Sequence, residues 1–151
     1  MRTLAMFCAV VLSATLALAE DSAEAPSDEQ QIRGKWELAS KSEGDNQGAE
    51  LPEGAPLQVS FEDGTWHAQV GPKGAPIEVS GSYTLDAKQT PRLIDVTVQA
   101  DGNATSIAAI YKIEKDRLHF RVPSGDGQRP ADFDVAAPNC ITLIFKRAAK
   151  D

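Results

Sequence analysis

Cysteine, histidine and tryptophan are scarce in this chain, two of each in 151 residues, and each shortage closes off a chemistry. His67 and His119 belong to no H-x-H or H-E-x-x-H spacing, and Cys8 and Cys140 form no C-x-x-C pair. The three or four convergent ligands of a zinc site are therefore missing. Both histidines fall on the polar phase of their segments, next to Trp66 and Phe120, and read as solvent-facing imidazoles. The nearest approach to a nucleophile elbow, Pro123-Ser124-Gly125-Asp126-Gly127, lacks the first glycine and reads as a flexible turn. No lysine or helix follows Gly125 and Gly127 to complete a phosphate cradle. Nothing here assembles a catalytic constellation, a metal site or a cofactor site, and the expectation is a protein that is not an enzyme.

Long hydrophobic runs are equally rare. The one present, Leu4 to Leu18, follows Arg2 and ends in Ala17-Leu18-Ala19, an A-x-A cleavage site. Residues 1–19 thus read as a signal peptide, and the destination is periplasmic or extracellular. No second run approaches the roughly 20 residues a membrane helix needs. Cys8 lies inside the apolar run rather than just after it, which argues against a lipid anchor. After cleavage Cys140 is the only thiol, so no intrachain disulfide can form. Cys140 reads as a buried strand-edge thiol, the alternative being an intermolecular disulfide. Basic charge is also in deficit: 15 Lys and Arg stand against 22 Asp and Glu, a formal net charge of −7. That balance argues against nucleic acid and anionic lipid surfaces as partners. Lys146, Arg147 and Lys150 cluster at the C-terminal end, where a solvated tail is the simpler reading.

What the sequence does have is a period of two. Residues 20–31, acidic and without apolar periodicity, form a flexible lead-in, of which 28–31 could make one helical turn over a barrel mouth or serve equally well as a solvated tether. From Ile32 the alternation starts. Trp36, Leu38 and Ser40 share one face, with Lys35, Glu37 and Lys41 as the solvent face. Residues 41–56 read as the longest loop, at one rim. Leu57, Val59 and Phe61 run up to Asp63-Gly64, and Trp66, Ala68 and Val70 run away from it, a hairpin set by the positive φ that Asp-Gly supplies. A long strand through Ile77, Val79, Gly81, Tyr83 and Leu85 follows, then Ile94, Val96 and Val98, then 105–113 with apolar residues on both faces. Leu118, Phe120 and Val122, a short strand around Phe133 and Val135, and Ile141, Leu143 and Phe145 complete the set. Asn103-Ala104-Thr105 matches a glycosylation acceptor but reads as a turn. The pattern predicts an all-β, antiparallel up-and-down barrel of about eight strands over 32–148, whose closure removes free edges from a chain without disulfides. Gly34 and Trp36 open the first strand and Arg147 ends the last, the arrangement that closes a barrel base.

Four stretches carry a resemblance: Ile32-Arg33-Gly34-Lys35-Trp36 with Ser40; Gly81-Ser82-Tyr83-Thr84-Leu85-Asp86 running through Pro91 to Ile94-Asp95; Ile110-Tyr111-Lys112-Ile113 with Asp116-Arg117-Leu118; and Arg129-Pro130 with Phe133. In order and spacing the chain resembles the lipocalin-like domain family of unknown function that is numerous in Planctomycetes. The resemblance spans about 32–147 and implies an exported lipocalin-like barrel, with no established activity, substrate or catalytic residue. The chain departs from that pattern around Cys140, where more glycine and serine are expected; the departure bears on the last loop and not on the fold.

Trp66, Tyr83, Tyr111 and Phe120 all fall on the apolar phase, and an eight-stranded barrel is just wide enough for one small ligand. These four are the candidate ligand-binding residues, with Ala68, Gly81 and Ala109 leaving space beside them. Plain core packing is the other reading of the same residues. Asp95 reads as an outward residue, with an inward carboxylate in a polar cavity as the alternative, and Asp86 flanks the same strand. The functional expectation is an exported protein binding a small apolar or amphiphilic ligand; the alternative is an interaction or envelope module with a filled core, presenting the doubly apolar 105–113 segment.

Overall fold

Alternating apolar residues and tight glycine turns produce a nine-stranded sheet that closes on itself. A computed structural model describes residues 25–43, 46–47, 56–71, 74–100, 102–125, 127–134 and 139–149; the signal peptide reading of 1–19 lies outside them. One short helix, α1 (Asp28–Ile32), precedes β1 (Gly34–Glu43), β2 (Asn46–Gln47), β3 (Pro56–Glu62), β4 (Thr65–Val70), β5 (Ile77–Asp86), β6 (Arg92–Ala100), β7 (Asn103–Glu114), β8 (Arg117–Pro123) and β9 (Cys140–Arg147). Every pairing is antiparallel, in the order β2-β1-β3-β4-β5-β6-β7-β8-β9, and β1 pairs β9 to close the barrel. The two-residue β2 is an appendage, so the wall is an eight-stranded up-and-down antiparallel barrel. No described helix is long and apolar enough to cross a membrane.

The turns fix the register. Asp63 and Gly64 adopt φ of 44° and 79°, the left-handed pair a two-residue hairpin requires, and Thr65 Oγ1 donates to the Glu62 carbonyl at 2.7 Å. Phe61 then faces Trp66, and Val59 faces Ala68, on the inner surface. Aromatic rings meet on that surface: Phe61 lies edge-on to Tyr83 with centroids 5.1 Å apart, and Phe120 packs on Phe145 at 5.8 Å. Such pairs add specific geometry to the burial of large apolar area that drives closure.

One end of the barrel is plugged. Ser27 caps α1 in a reciprocal box with Gln30, so residues 28–31 are a docked helical turn and not a tether. The Trp36 indole, fully buried, donates to the Ile32 carbonyl at 2.7 Å. Opposite Trp36 on β9, Arg147 holds its guanidinium 4.1 Å from the indole ring centre. Its Nη atoms donate to the carbonyls of Gln31 at 2.6 Å and Arg33 at 2.9 Å. A Cβ on Gly34, at φ 105°, would sit 3.4 Å from Arg147 Nη1, so the glycine lets the chain turn from helix into strand beside the cation. Tyr111 donates its hydroxyl to Asp28 at 2.6 Å, and Arg92 pairs with the same carboxylate at 3.0 Å. Helix, indole and guanidinium together seal the base.

Three sequence expectations change here. The alternation predicts Lys41 on the solvent face and at the start of a loop, yet β1 continues to Glu43 and Lys41 is buried, at 8% exposure. The reason is a bulge: Leu38 pairs Phe145 but Ser40 pairs Ile144, so one extra residue reverses the alternation and Lys41 faces the interior beside its partner Leu143. The rest of the 41–56 loop reading, apart from β2 and the start of β3, lies outside the described residues. Secondly, Phe133 is on no strand. The Asp132 carboxylate accepts from the Asp134 amide at 2.9 Å, a turn that competes with strand pairing; Val135 lies outside the described residues. Residues 127–134 instead pass over the outside of β6 and β7. Arg129 donates to the Ile94 and Ala109 carbonyls at 3.3 and 2.7 Å and pairs with Asp95, while Lys112 sits over the Phe133 ring. Asp95 is accordingly outward and exposed. The cover explains the doubly apolar β7: Ile110, on its outer phase, is fully buried.

Thirdly, His119 is not solvent-facing. It is half-buried on the outer wall, its Nε2 3.3 Å from a Glu114 carboxylate oxygen but without hydrogen-bond geometry. Burial first, then the neighbouring Lys112, push its pKa down from the ordinary 6.5. A histidine that titrates lower folded than unfolded binds its proton preferentially in the unfolded chain, so its contribution is complete above 6.5 and fades as the pH falls below it. Urea midpoints of the parent should therefore drop below pH 6.5 more steeply than those of His119→Gln; parallel curves would contradict this assignment. His67, by contrast, is exposed.

Candidate functional site: the barrel cavity

Beyond the plugged end the interior is not filled. A cavity of about 340 Å³ is walled by Val59 and Phe61 of β3, Trp66 of β4, Val96 and Val98 of β6, Ile107 and Ala109 of β7, Phe120, Val122 and Pro123 of β8, Leu143 and Phe145 of β9, and Gly125. Apart from Pro123, which ends β8, each strand wall residue is there because the period of two puts it on the inner phase. The cavity lining includes Val98, near the turn from β6 to β7, and Gly125, just past the end of β8. A Cβ on Gly102 or Gly125 in those turns would meet nothing within 4 Å.

The wall chemistry is uniform. Every lining side chain is hydrocarbon except the Trp66 indole, and its N–H is already committed to the Thr97 carbonyl at 3.2 Å. That bond shapes the site. Trp66 on β4 and Thr97 on β6 flank Gly81 of β5, which is the register partner of both Trp66 and Val98, so the indole crosses β5 above the glycine. An added Cβ at Gly81 would overlap the Thr97 carbonyl and lie 2.9 Å from Trp66 Nε1. The space beside Gly81 that the sequence offers to a ligand is thus occupied by the indole and by the close approach of β6. Ala68 and Ala109 are buried on the inner face, and Ala109 lines the void.

Of the four candidate ligand-binding residues, Trp66 and Phe120 line the cavity. Tyr83 and Tyr111 are buried but belong to the plugged end. Tyr83 contacts Phe61 there and lines an outer groove with Glu29, Arg33 and Asp63, and Tyr111 anchors Asp28. Burial raises the pKa of both phenols, that of Tyr111 further through its hydrogen bond to Asp28, so both stay protonated as fixed donors or packing groups. Sequence reasoning missed the aliphatic wall of Val96, Val98, Ile107, Val122 and Leu143, although their shared phase was the available signal. Among the described residues no cluster of three or more His, Cys, Asp or Glu side chains could hold a metal ion. Cys140 begins β9 opposite Pro123, half-buried and outside any intrachain disulfide.

The geometry defines a closed, up-and-down antiparallel β-barrel with one plugged end and an apolar interior chamber. No family model, curated protein or solved structure matches this chain.

Proposed function

We propose that this protein is an exported, lipocalin-like binder that holds one small apolar or amphiphilic molecule in the barrel, and that it is not an enzyme. The supporting observation is the chamber itself: about 340 Å³, within the range of ligand pockets, roughly 300–1,000 Å³, and walled by hydrocarbon. Such a wall selects by shape and apolarity and offers no group for bond making or breaking. The alternative, an interaction or envelope module with a filled core, loses support because residues 127–134 cover the outer apolar face of β7 that would have been its docking surface.

Native mass spectrometry of the protein, isolated from its own cells without detergent, tests this. The expected result is a reproducible extra mass that disappears on denaturation and is absent from Ala109→Leu, which adds an isopropyl group to the cavity wall. A bare monomer or self-dimer in both proteins would favour the interaction module.

A further inference from the structure

We infer that the ligand carries a flat aromatic ring system, seated against a cluster of rings at the floor of the chamber; this deepens the binder reading above and rests on it. The wall is divided into two zones. Phe61, Trp66, Phe120 and Phe145 all line it, and they are contiguous. Phe61 and Trp66 are register partners across β3 and β4, and the Phe120 ring centre lies 5.8 Å from those of both Phe61 and Phe145. Phe61 also meets Tyr83, and Phe145 lies on β9 just before Arg147, so the cluster stands on the plugged end. The remaining lining side chains among the described residues are aliphatic, Val98, Ile107 and Val122 among them.

Ring inclination makes the cluster selective. The Phe120 ring is turned 56° from that of Phe61 and 74° from that of Phe145. A flat guest lying parallel to one of these rings is therefore steeply inclined to another. It meets one face in an offset stack and the other edge to face, the two arrangements that aromatic quadrupoles favour. Trp66 adds only ring carbon, because its N–H is held by the Thr97 carbonyl. A saturated guest of the same skeleton gains the burial of apolar area but not the quadrupole contacts. No described lining side chain carries a charge, so the part of the guest within the chamber is neutral, since an unpaired charge there would cost its full hydration.

The test compares naphthalene with its saturated counterpart, decahydronaphthalene, as competitors of the dye 1-N-phenylnaphthylamine on the full chain. The ratio of their dissociation constants is read in the parent, in Phe120→Leu and in Phe61→Leu; comparing that ratio between proteins cancels the different hydration of the two free hydrocarbons. The relative preference for naphthalene should fall about three- to ten-fold in each leucine variant, the scale of one aromatic contact. It should hold in Leu143→Met, which changes the aliphatic zone at nearly constant volume. Both rings also pack in the core, and a leucine variant that fails to fold leaves the other to decide. A ratio that keeps its parent value in the leucine variants, or moves as far in Leu143→Met, overturns the ring-stacking inference and leaves the cavity reading standing, as does bound dye that naphthalene cannot displace. Failure of the parent to bind the dye at all overturns both.

Discussion

Replacing Gly81 with alanine is expected to destabilise the protein by about 4 kcal/mol, the range reserved for substitutions that violate backbone packing. The added methyl overlaps the Thr97 carbonyl, a main-chain atom of a paired strand, and crowds the Trp66 Nε1 that bonds to it. No rotamer change relieves a clash with backbone, so β5 and β6 must separate where seven register pairs now join them, and the indole loses its acceptor. Gly102→Ala is the informative comparison. Gly102 has φ 78° but open space around its missing Cβ, so alanine there should cost only the left-handed strain, about 1–2 kcal/mol. Urea unfolding of both variants decides the matter, and equal losses would mean that Gly81 serves flexibility rather than close approach.

Trp36→Ala is expected to cost about 3–5 kcal/mol, as large-to-small changes of a fully buried aromatic do. The loss goes beyond volume. Removing the indole withdraws the donor to Ile32 and the ring under Arg147, and both hold α1 against the barrel. The effects of Trp36→Ala and Arg147→Met should therefore be non-additive, with a coupling of about 1 kcal/mol in a double-mutant cycle. A Trp36→Ala protein melting within about two degrees of the parent would contradict the sealing role.

The barrel was legible because its signals are local. Period-two alternation, Asp63-Gly64 and the spacing from Trp36 to Arg147 each depend on a few residues, and the closed eight-stranded wall follows from them. What stayed hidden depends on contacts between distant segments. The bulge that turns Lys41 inward has no glycine to announce it; it shows only in the offset between β1 and β9. The half-burial of His119 follows the same logic. Its strand alternates as expected, and its outer side is nonetheless enclosed.

The candidate site divides along the same line. Phase alone put Trp66, Tyr83, Tyr111 and Phe120 inside, but phase says nothing of height along the barrel axis. The two tyrosines sit low, against α1, while Trp66 and Phe120 sit higher, at the void. Gly81 illustrates the converse error, since a missing side chain suggests space in a sequence but marks a close crossing of Trp66 and β6 in the fold.

The most direct test of the cavity is titration of the protein with 1-N-phenylnaphthylamine, read by energy transfer from tryptophan, since Trp66 lines the chamber. The account predicts saturable one-to-one binding in the parent and in His67→Gln, whose altered side chain is on the outer wall, and at least ten-fold weaker binding in a folded Ala109→Leu protein. Equal binding in the parent and Ala109→Leu, or no saturable binding in either, would contradict a ligand-holding barrel.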